Sequence, residues 1–109
     1  MRIITPSSIT RSWKAYPSAK NSLTVWEERI RNQNYLNSNE LRESFGNTDH
    51  IPNSNFSHLT IFNIKGNDYR LAVDIDFATQ RVFLKWFATH AKYDRINWNN
   101  YQNNGFELC

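Results

Sequence analysis

The spacing of the apolar residues changes once along the chain, and this change constrains the fold more than any other feature. Leu23, Trp26 and Ile30 recur at intervals of three and four, which places them on one face of a helix. From Leu59 onward the pattern is that of strands, and residues 69–77 alternate cleanly between apolar and polar side chains. Helices followed by strands are typical of an α+β fold, so we expect N-terminal helices packed on one face of a small, mainly antiparallel β-sheet.

The first part of the chain predicts a strand followed by two helices. Residues 2–4 are consistent with a short strand. We expect Thr5 to cap the next helix and Pro6 to be its first residue, because proline lacks a backbone donor that this position does not need. This helix should end near Tyr16, and Pro17 then separates it from the helix with the apolar face.

A third helix and a loop are predicted before the strands. Residues 32–39 are polar and rich in asparagine, which suits a connection. Asn39 is a candidate cap for a short helix with Leu41 and Phe45 on one side. Residues 46–57 contain Gly, Pro, Asn and Ser and predict an irregular loop.

The second part of the chain predicts a hairpin and a third strand. Residues 65–68 have turn chemistry between two apolar runs. Residues 69–77 alternate between apolar and polar side chains, and residues 81–89 continue as a strand after a tight turn. Aligning the apolar faces of these two strands predicts three cross-strand pairs: Leu71 with Trp86, Val73 with Leu84, and Ile75 with Val82.

The sheet face opposite the helices is then expected to be open to a ligand. The predicted register leaves alternating basic and aromatic side chains on that face: Arg70, Arg81, Phe83, Lys85 and Phe87. Basic groups neutralise phosphate and aromatic rings stack on bases, so this pattern favours single-stranded RNA. The alternative is an ordinary polar sheet face, with Phe83 and Phe87 covered by a loop or by the C-terminal tail.

His90 and Tyr93 are candidates for proton transfer. They lie three residues apart after the last predicted strand, so a helical turn would place them on one side. Histidine exchanges a proton near neutral pH. Tyrosine can donate a hydrogen bond, or act as a base where cations lower its pKa. In the alternative interpretation, Tyr93 closes the edge of the core and His90 caps a carbonyl.

Composition limits the remaining possibilities. A chain of 109 residues forms one domain, and its net charge of +3 permits a polyanionic partner without requiring one. A single cysteine, Cys109, forms no internal disulfide, and neither a signal peptide nor a membrane span is visible, so we expect a cytoplasmic protein that is not bound to a membrane. His50, His58 and His90 lack metal-ligand spacing, and no nucleotide-binding motif is present, so we expect no metal and no cofactor.

Two C-terminal motifs resemble those of HigB-type toxins of the RelE superfamily. Residues 62–71 (FNIKGNDYRL) are similar to the family's F-N-I-x-G-N-x-Y-R-L segment. Residues 81–85 (RVFLK) and 89–94 (THAKYD) resemble its last strand and its T-H-x-x-Y-D ending. The helical segments around Trp13 and Trp26 also resemble the family.

This resemblance covers residues 1–96 as a single domain and leaves residues 97–109 as a variable tail. It implies a RelE-like fold and the toxin of a type II toxin–antitoxin system, an endoribonuclease (mRNA interferase) that cuts mRNA on the ribosome. It also implies a cognate HigA-like helix-turn-helix antitoxin, through which alone the toxin contacts operator DNA. It further implies cleavage without a metal, by attack of the RNA's own 2′-OH on the adjacent phosphorus.

For this chemistry, the residues of the open face and the His90–Tyr93 pair are the candidates. Arg70 and Lys85 would stabilise the phosphate, His90 would act as acid or base, and Tyr93 would assist it. The implied RNA contacts are Lys65, Arg81, Phe83, Phe87 and Lys92. Two alternatives remain at this point: an RNA- or ribosome-binding module that does not cleave, and a protein-interaction module whose open face receives a partner's helix.

Overall fold

The computed structural model describes residues 1–52 and 55–109 and shows helices packed on a mixed β-sheet, which confirms the expected α+β class. The elements in chain order are β1 (Arg2–Ile4), α1 (Ser7–Ala15), a 3₁₀ turn (Pro17–Ala19), α2 (Lys20–Asn32), α3 (Ser38–Phe45), β2 (Thr48–Ile51), β3 (Leu59–Ile64), β4 (Tyr69–Asp76), β5 (Arg81–Thr89), α4 (His90–Tyr93) and β6 (Glu107–Leu108).

The sheet is built around β5. Its strand order is β1-β5-β4-β3-β2, and β6 also pairs with β5. The strands from β2 to β5 are antiparallel to their neighbours, whereas β1 and β6 run parallel to β5. Because β4 occupies one edge of β5, β1 and β6 share the other edge, with β1 pairing at residues 81–83 and β6 at Trp86 and Phe87.

The helices cover one face of the sheet, as predicted. Leu23, Trp26 and Ile30 of α2 are buried in the core between the two layers. The ring of Trp26 contacts that of Phe62 on β3, with centroids 5.5 Å apart. Burial of this apolar stripe is the main contribution that α2 makes to stability, because a helix of this length gains little from its own hydrogen bonds.

Both predicted helix caps are wrong by one or two residues. Thr5 has a left-handed backbone (φ 59°) and its side chain does not cap α1. Its backbone carbonyl instead accepts a hydrogen bond from the N–H of Ser8. At α3 the cap is Asn37 and not Asn39, because the side chain of Asn37 accepts from the N–H of Glu40 at 3.0 Å.

A β-bulge at Lys85 changes the predicted register. The pairs of Val73 with Leu84 and Ile75 with Val82 are confirmed. Beyond them, Leu71 pairs with Phe87, and Trp86 pairs with Ala72, so Lys85 is the extra residue of β5. Since a bulge reverses the alternation of the side chains, Phe87 faces the helices. Its predicted place on the open face is therefore wrong.

The sheet face opposite the helices is not open at its centre. Trp86, which the bulge places on this face, is fully buried under Trp98 from the C-terminal segment. The two indoles meet edge to face with centroids 5.4 Å apart. Residues 97–109 therefore pack against the sheet, and Tyr101 extends the same apolar cluster.

The strand β2 lies within the loop predicted for residues 46–57, so that prediction is wrong for Thr48–Ile51. The pairing of β2 with β3 comes from the sheet edge and not from local propensity, which is weak in the sequence Thr-Asp-His-Ile. Residues 53 and 54 of the predicted loop lie outside the described residues.

Candidate functional site

Arg70 is the most unusual charged residue of the open face. It lies near the start of β4 and only 6% of its surface is exposed. Its guanidinium donates to the carbonyl of Tyr69 at 3.0 Å and to the side-chain oxygen of Asn67 at 3.4 Å. No ion pair found within residues 1–52 and 55–109 includes it. A buried cation without a carboxylate partner is costly, so this position is suited to an anionic ligand.

The structure brings His90 and Tyr93 next to Arg70. The guanidinium carbon of Arg70 lies 5.8 Å from the centroid of the Tyr93 ring, and that ring lies 6.3 Å from the imidazole of His90. The backbone N–H of His90 donates to the carbonyl of Asp68 at 3.1 Å, which ties α4 to the β3–β4 turn. The three predicted residues therefore form one cluster where the hairpin meets the end of β5.

The phenol of Tyr93 is protonated at neutral pH. Burial raises its pKa above the ordinary value of 10.0, and the carboxylate of Asp49 acts in the same direction, against the opposing charge of Arg70. Of the two roles that the sequence allows for Tyr93, the structure therefore favours the hydrogen-bond donor over the base, because desolvation outweighs the effect of the nearby cation on its pKa. A protonated phenol can donate a proton but is a poor base.

The imidazole of His90 has a carboxylate partner and access to solvent. Its Nε2 lies 3.3 Å from a side-chain oxygen of Asp94, and 43% of its side-chain surface is exposed. A carboxylate in this position orients the ring and stabilises it when it is protonated. This arrangement suits a group that accepts a proton during a reaction.

Lys85 lies apart from this cluster. Counting along β5 from Ala88, the partner of Arg70, Lys85 is displaced by roughly 10 Å, with the buried Trp86 between them. Its ammonium lies over the rings of Phe56 and Phe83, at 5.3 and 5.9 Å. The structure therefore does not place Lys85 beside the group that Arg70 would bind.

The basic residues predicted to contact RNA have protein partners. Arg81 pairs with Asp76 at 3.5 Å, and Lys65 lies 3.8 Å from Asp68 in the hairpin turn. The ammonium of Lys92 donates to the main-chain oxygen of Cys109 at 2.9 Å.

The two predicted aromatic contacts differ in their exposure. Phe83 is half-buried, with the guanidinium of Arg81 5.6 Å from its ring centroid. Phe87 is buried under Tyr16 and Tyr69, so its ring offers no surface to a base.

Three residues near the cluster were not predicted from the sequence. Asp49 is not predicted because it lies in β2, and the sequence of residues 46–57 predicts a loop. Asn67 was read only as a turn residue, although a side-chain amide next to a strand end is a common partner for an arginine. Trp98 was assigned to a variable tail, and its size and apolarity were the signal that it is buried.

Residues 1–52 and 55–109 contain no group of three or more His, Cys, Asp or Glu side chains placed to hold a metal ion. None of the helices described is both long and apolar enough to cross a bilayer.

Comparison with known proteins agrees with the motifs. Residues 19–96 match a family model described as HigB toxin, the RelE-like toxic component of a toxin–antitoxin system. The mRNA interferase HigB of Escherichia coli O6:H1 (strain CFT073) is 26% identical over 96 residues, which cover 88% of this chain and 91% of that protein. The mRNA interferase toxin HigB of Escherichia coli strain K12 is 26% identical over 97 residues, covering 86% of this chain and 88% of the relative. The family model spans well over half of the chain and includes the Arg70–His90–Tyr93 cluster. The chain belongs to the HigB family of RelE-like toxins, and the partner of such a toxin is an antitoxin.

Proposed function

We propose that this toxin is an mRNA endoribonuclease that stops translation by cutting mRNA on the ribosome, in the cytoplasm. The relatives named above are mRNA interferases, and they align with most of this chain. The reaction uses no metal: the RNA's 2′-OH attacks the neighbouring phosphorus and leaves a 2′,3′-cyclic phosphate and a 5′-OH.

The observation that carries this proposal is the buried guanidinium of Arg70, which has no carboxylate partner among the described residues. The scissile phosphate supplies the missing negative charge, and the pentacoordinate phosphorane of the transition state supplies more. An arginine fixed in a poorly solvated site therefore stabilises the transition state more than the ground state. Its two-pronged geometry also orients the phosphate.

The protons are assigned from the environments of His90 and Tyr93. His90 removes the proton of the attacking 2′-OH, and Asp94 stabilises the imidazolium that forms. The 2′-oxygen–phosphorus bond forms while the bond to the 5′-oxygen breaks. Tyr93, whose phenol is protonated at neutral pH, donates its proton to the departing 5′-oxygen. Solvent then restores both groups.

The remaining basic and aromatic residues contact RNA beyond the cleaved bond. Lys85, Arg81 and the half-buried Phe83 form a patch farther along β5. This patch suits a neighbouring phosphate and a stacked base. Lys65, on the hairpin turn, is a peripheral contact to RNA.

The antitoxin in this proposal is a HigA-like helix-turn-helix protein. It neutralises the toxin, and the pair contacts operator DNA through the antitoxin alone. The family of the toxin supports this assignment.

Induced expression in a bacterium tests the proposal with a matched pair of arginine variants. Wild-type toxin and Arg42→Ala, which changes an exposed arginine of α3, should arrest growth and create new 5′ ends inside translated mRNA. Arg70→Lys keeps the charge and loses the two-pronged contact, so cutting should fall by about 10²-fold or more. Equal melting temperatures would show that the variants fold.

Two results would contradict the proposal. Cutting by Arg70→Lys at the wild-type rate would remove Arg70 from the site. Growth arrest by the wild type without new 5′ ends would indicate a module that binds RNA or the ribosome and does not cleave.

A further inference from the structure

The helical turn α4, which carries His90 and Tyr93, is too short to hold its own shape. It has four residues, none of them fully buried. One helical turn does not repay the entropy of fixing its backbone. The cap at its start is weak, because the side chain of Thr89, the last residue of β5, accepts from the N–H of Lys92 at a long 3.4 Å. The orientation of His90 and Tyr93 towards Arg70 must therefore come from contacts with other parts of the chain.

The C-terminal segment contacts one side of this turn through Trp98. The Trp98 indole lies against the Tyr93 ring, with centroids 5.6 Å apart and planes inclined at 34°. Trp98 is only 7% exposed and is itself fixed by Trp86 behind it and Tyr101 beside it. The Tyr93 ring is thus held between a fixed indole and the guanidinium of Arg70.

The same segment contacts the other side of the turn through Lys92. The Lys92 ammonium donates to the main-chain oxygen of Cys109 at 2.9 Å, and the hydroxyl of Tyr16 donates to the same oxygen. Cys109 is fixed in turn, because its N–H donates to the carbonyl of Phe87 at 3.1 Å, next to the β5–β6 pairing. Since Tyr16 packs on the helix-covered face, Lys92 points away from the Arg70 side of the sheet.

We infer that residues 97–109 form a clamp on α4, in which Lys92 and Trp98 are positioning residues for the cleavage chemistry. The clamp holds Tyr93 and His90 at the distance from Arg70 that the reaction needs. This inference rests on the proposed function. It also assigns Lys92 a different role from a phosphate contact, because the ammonium is used inside the protein.

The experiment separates positioning from RNA binding by single-turnover cleavage of mRNA held in translating ribosomes, measured against toxin concentration. The plateau rate reports the chemical step, and the half-saturating concentration reports binding. The variants are Lys92→Met, Lys92→Arg and Trp98→Leu. Lys14→Met, a change of an exposed lysine on α1, is the control for a lost positive charge.

Lys92→Met should lower the plateau rate on the order of tenfold to a hundredfold, because small displacements of reacting groups are costly. Its half-saturating concentration should stay within about twofold of the wild type, as should that of Lys14→Met. Lys92→Arg should recover most of the rate, since arginine can also donate to the main-chain oxygen of Cys109. Trp98→Leu should reproduce the loss of rate while still covering Trp86. If Trp98→Leu does not fold, comparison of Lys92→Met, Lys92→Arg and Lys14→Met is sufficient to test the inference.

Different results would contradict the inference and the proposed function. If Lys92→Met cuts at the wild-type plateau rate, or raises only the half-saturating concentration and makes it less sensitive to salt, Lys92 is not a positioning residue and the inference fails. If the wild type leaves ribosome-bound mRNA uncut, the proposed function fails instead.

Discussion

Tyr93 has two roles in the proposed site, one in packing and one in proton transfer. Its ring contacts the guanidinium of Arg70 and the indole of Trp98, and partial burial raises the pKa of its phenol. The ring and the hydroxyl therefore have separable roles: the ring fills space, and the hydroxyl supplies a proton. A substitution that removes only the hydroxyl distinguishes them.

Tyr93→Phe should leave the fold intact and slow cleavage. General acid catalysis contributes about 10²–10⁴-fold, so single-turnover cleavage should fall by a factor in that range. The free energy of unfolding, measured with urea, should change by no more than about 1 kcal/mol because the packing is kept. A fully active Tyr93→Phe protein would show that water, and not this phenol, protonates the leaving oxygen.

Tyr101 predicts how stability responds to alkaline pH. Burial raises its pKa well above 10.0, and its hydroxyl also donates to Glu107 at 2.6 Å. The folded protein therefore retains a proton that the unfolded chain releases above pH 10.0. Tyr101 should therefore leave the free energy of unfolding unchanged below about pH 10 and should lower it as the pH rises above that value.

Urea unfolding of the wild type and Tyr101→Phe between about pH 8 and about pH 11 measures this effect. The wild type should lose more stability than the variant over this interval, since the variant has no phenol at that position. Parallel curves for the two proteins would rule out Tyr101 as the cause.

At the scale of elements, the bulge in β5 decides which aromatic residues lie in the core. Phe87 faces the helices and is fully buried, whereas Phe83 is half-buried on the other face. A regular strand would place both on the same face. Deleting either ring therefore tests the register directly.

Phe87→Ala should destabilise the protein by about 3–5 kcal/mol, because it leaves a cavity in a packed core. Phe83→Ala should cost less, about 1 kcal/mol, since its ring is partly in water already. The free energies of unfolding of both variants can be measured with urea. Equal losses would contradict the bulge at Lys85.

Local patterns predicted the elements whose structure is determined locally. The alternation of residues 69–77 and the turn at 65–68 were sufficient to predict β4 and the hairpin. The bulge at Lys85 was not predictable in this way, because it depends on how β5 packs against two cores at once. The sequence does not predict β2 for a similar reason: its pairing with β3 is stabilised by the sheet and not by its own residues.

In the candidate site too, features determined locally could be predicted and those determined by distant elements could not. The three-residue spacing of His90 and Tyr93 predicted their shared side, and the structure confirms that they are neighbours. The separation of Lys85 from Arg70 could not be predicted, because it follows from the bulge and from the indoles of Trp86 and Trp98. Side chains contributed by distant elements, such as Asp49, cannot be predicted from the motif that contains His90 and Tyr93.

At the scale of the whole molecule, a net charge of +3 gives little general attraction to RNA, so binding must depend on a few placed cations. Arg70, Lys85 and Arg81 are the proposed phosphate contacts, and Lys65 is a further contact at the periphery. Each phosphate contact to single-stranded RNA contributes about −0.7 to the slope of log affinity against log salt, so the three predict a slope of about −2, which Lys65 would make steeper.

Fluorescence anisotropy with a 2′-O-methyl RNA oligonucleotide, which lacks the attacking hydroxyl, can measure this slope between about 50 and about 200 mM salt. Arg81→Ala should make the slope shallower by about 0.7, and Lys14→Met should not change it. A slope near zero would contradict phosphate contacts altogether.

The arrangement of strands around β5 also determines when the molecule can form during its synthesis. The strand at the centre of the sheet pairs with β1, from the beginning of the chain, and with β6, which is made after it. Contacts between residues so distant in sequence form slowly and late. On the ribosome, α1 and α2 emerge first but have no sheet to cover until β5 has followed them. The clamp on α4 forms later still, when β6 has emerged. A partly synthesised chain that ends before β5 and β6 therefore has neither the completed sheet nor the contacts of residues 97–109 with α4.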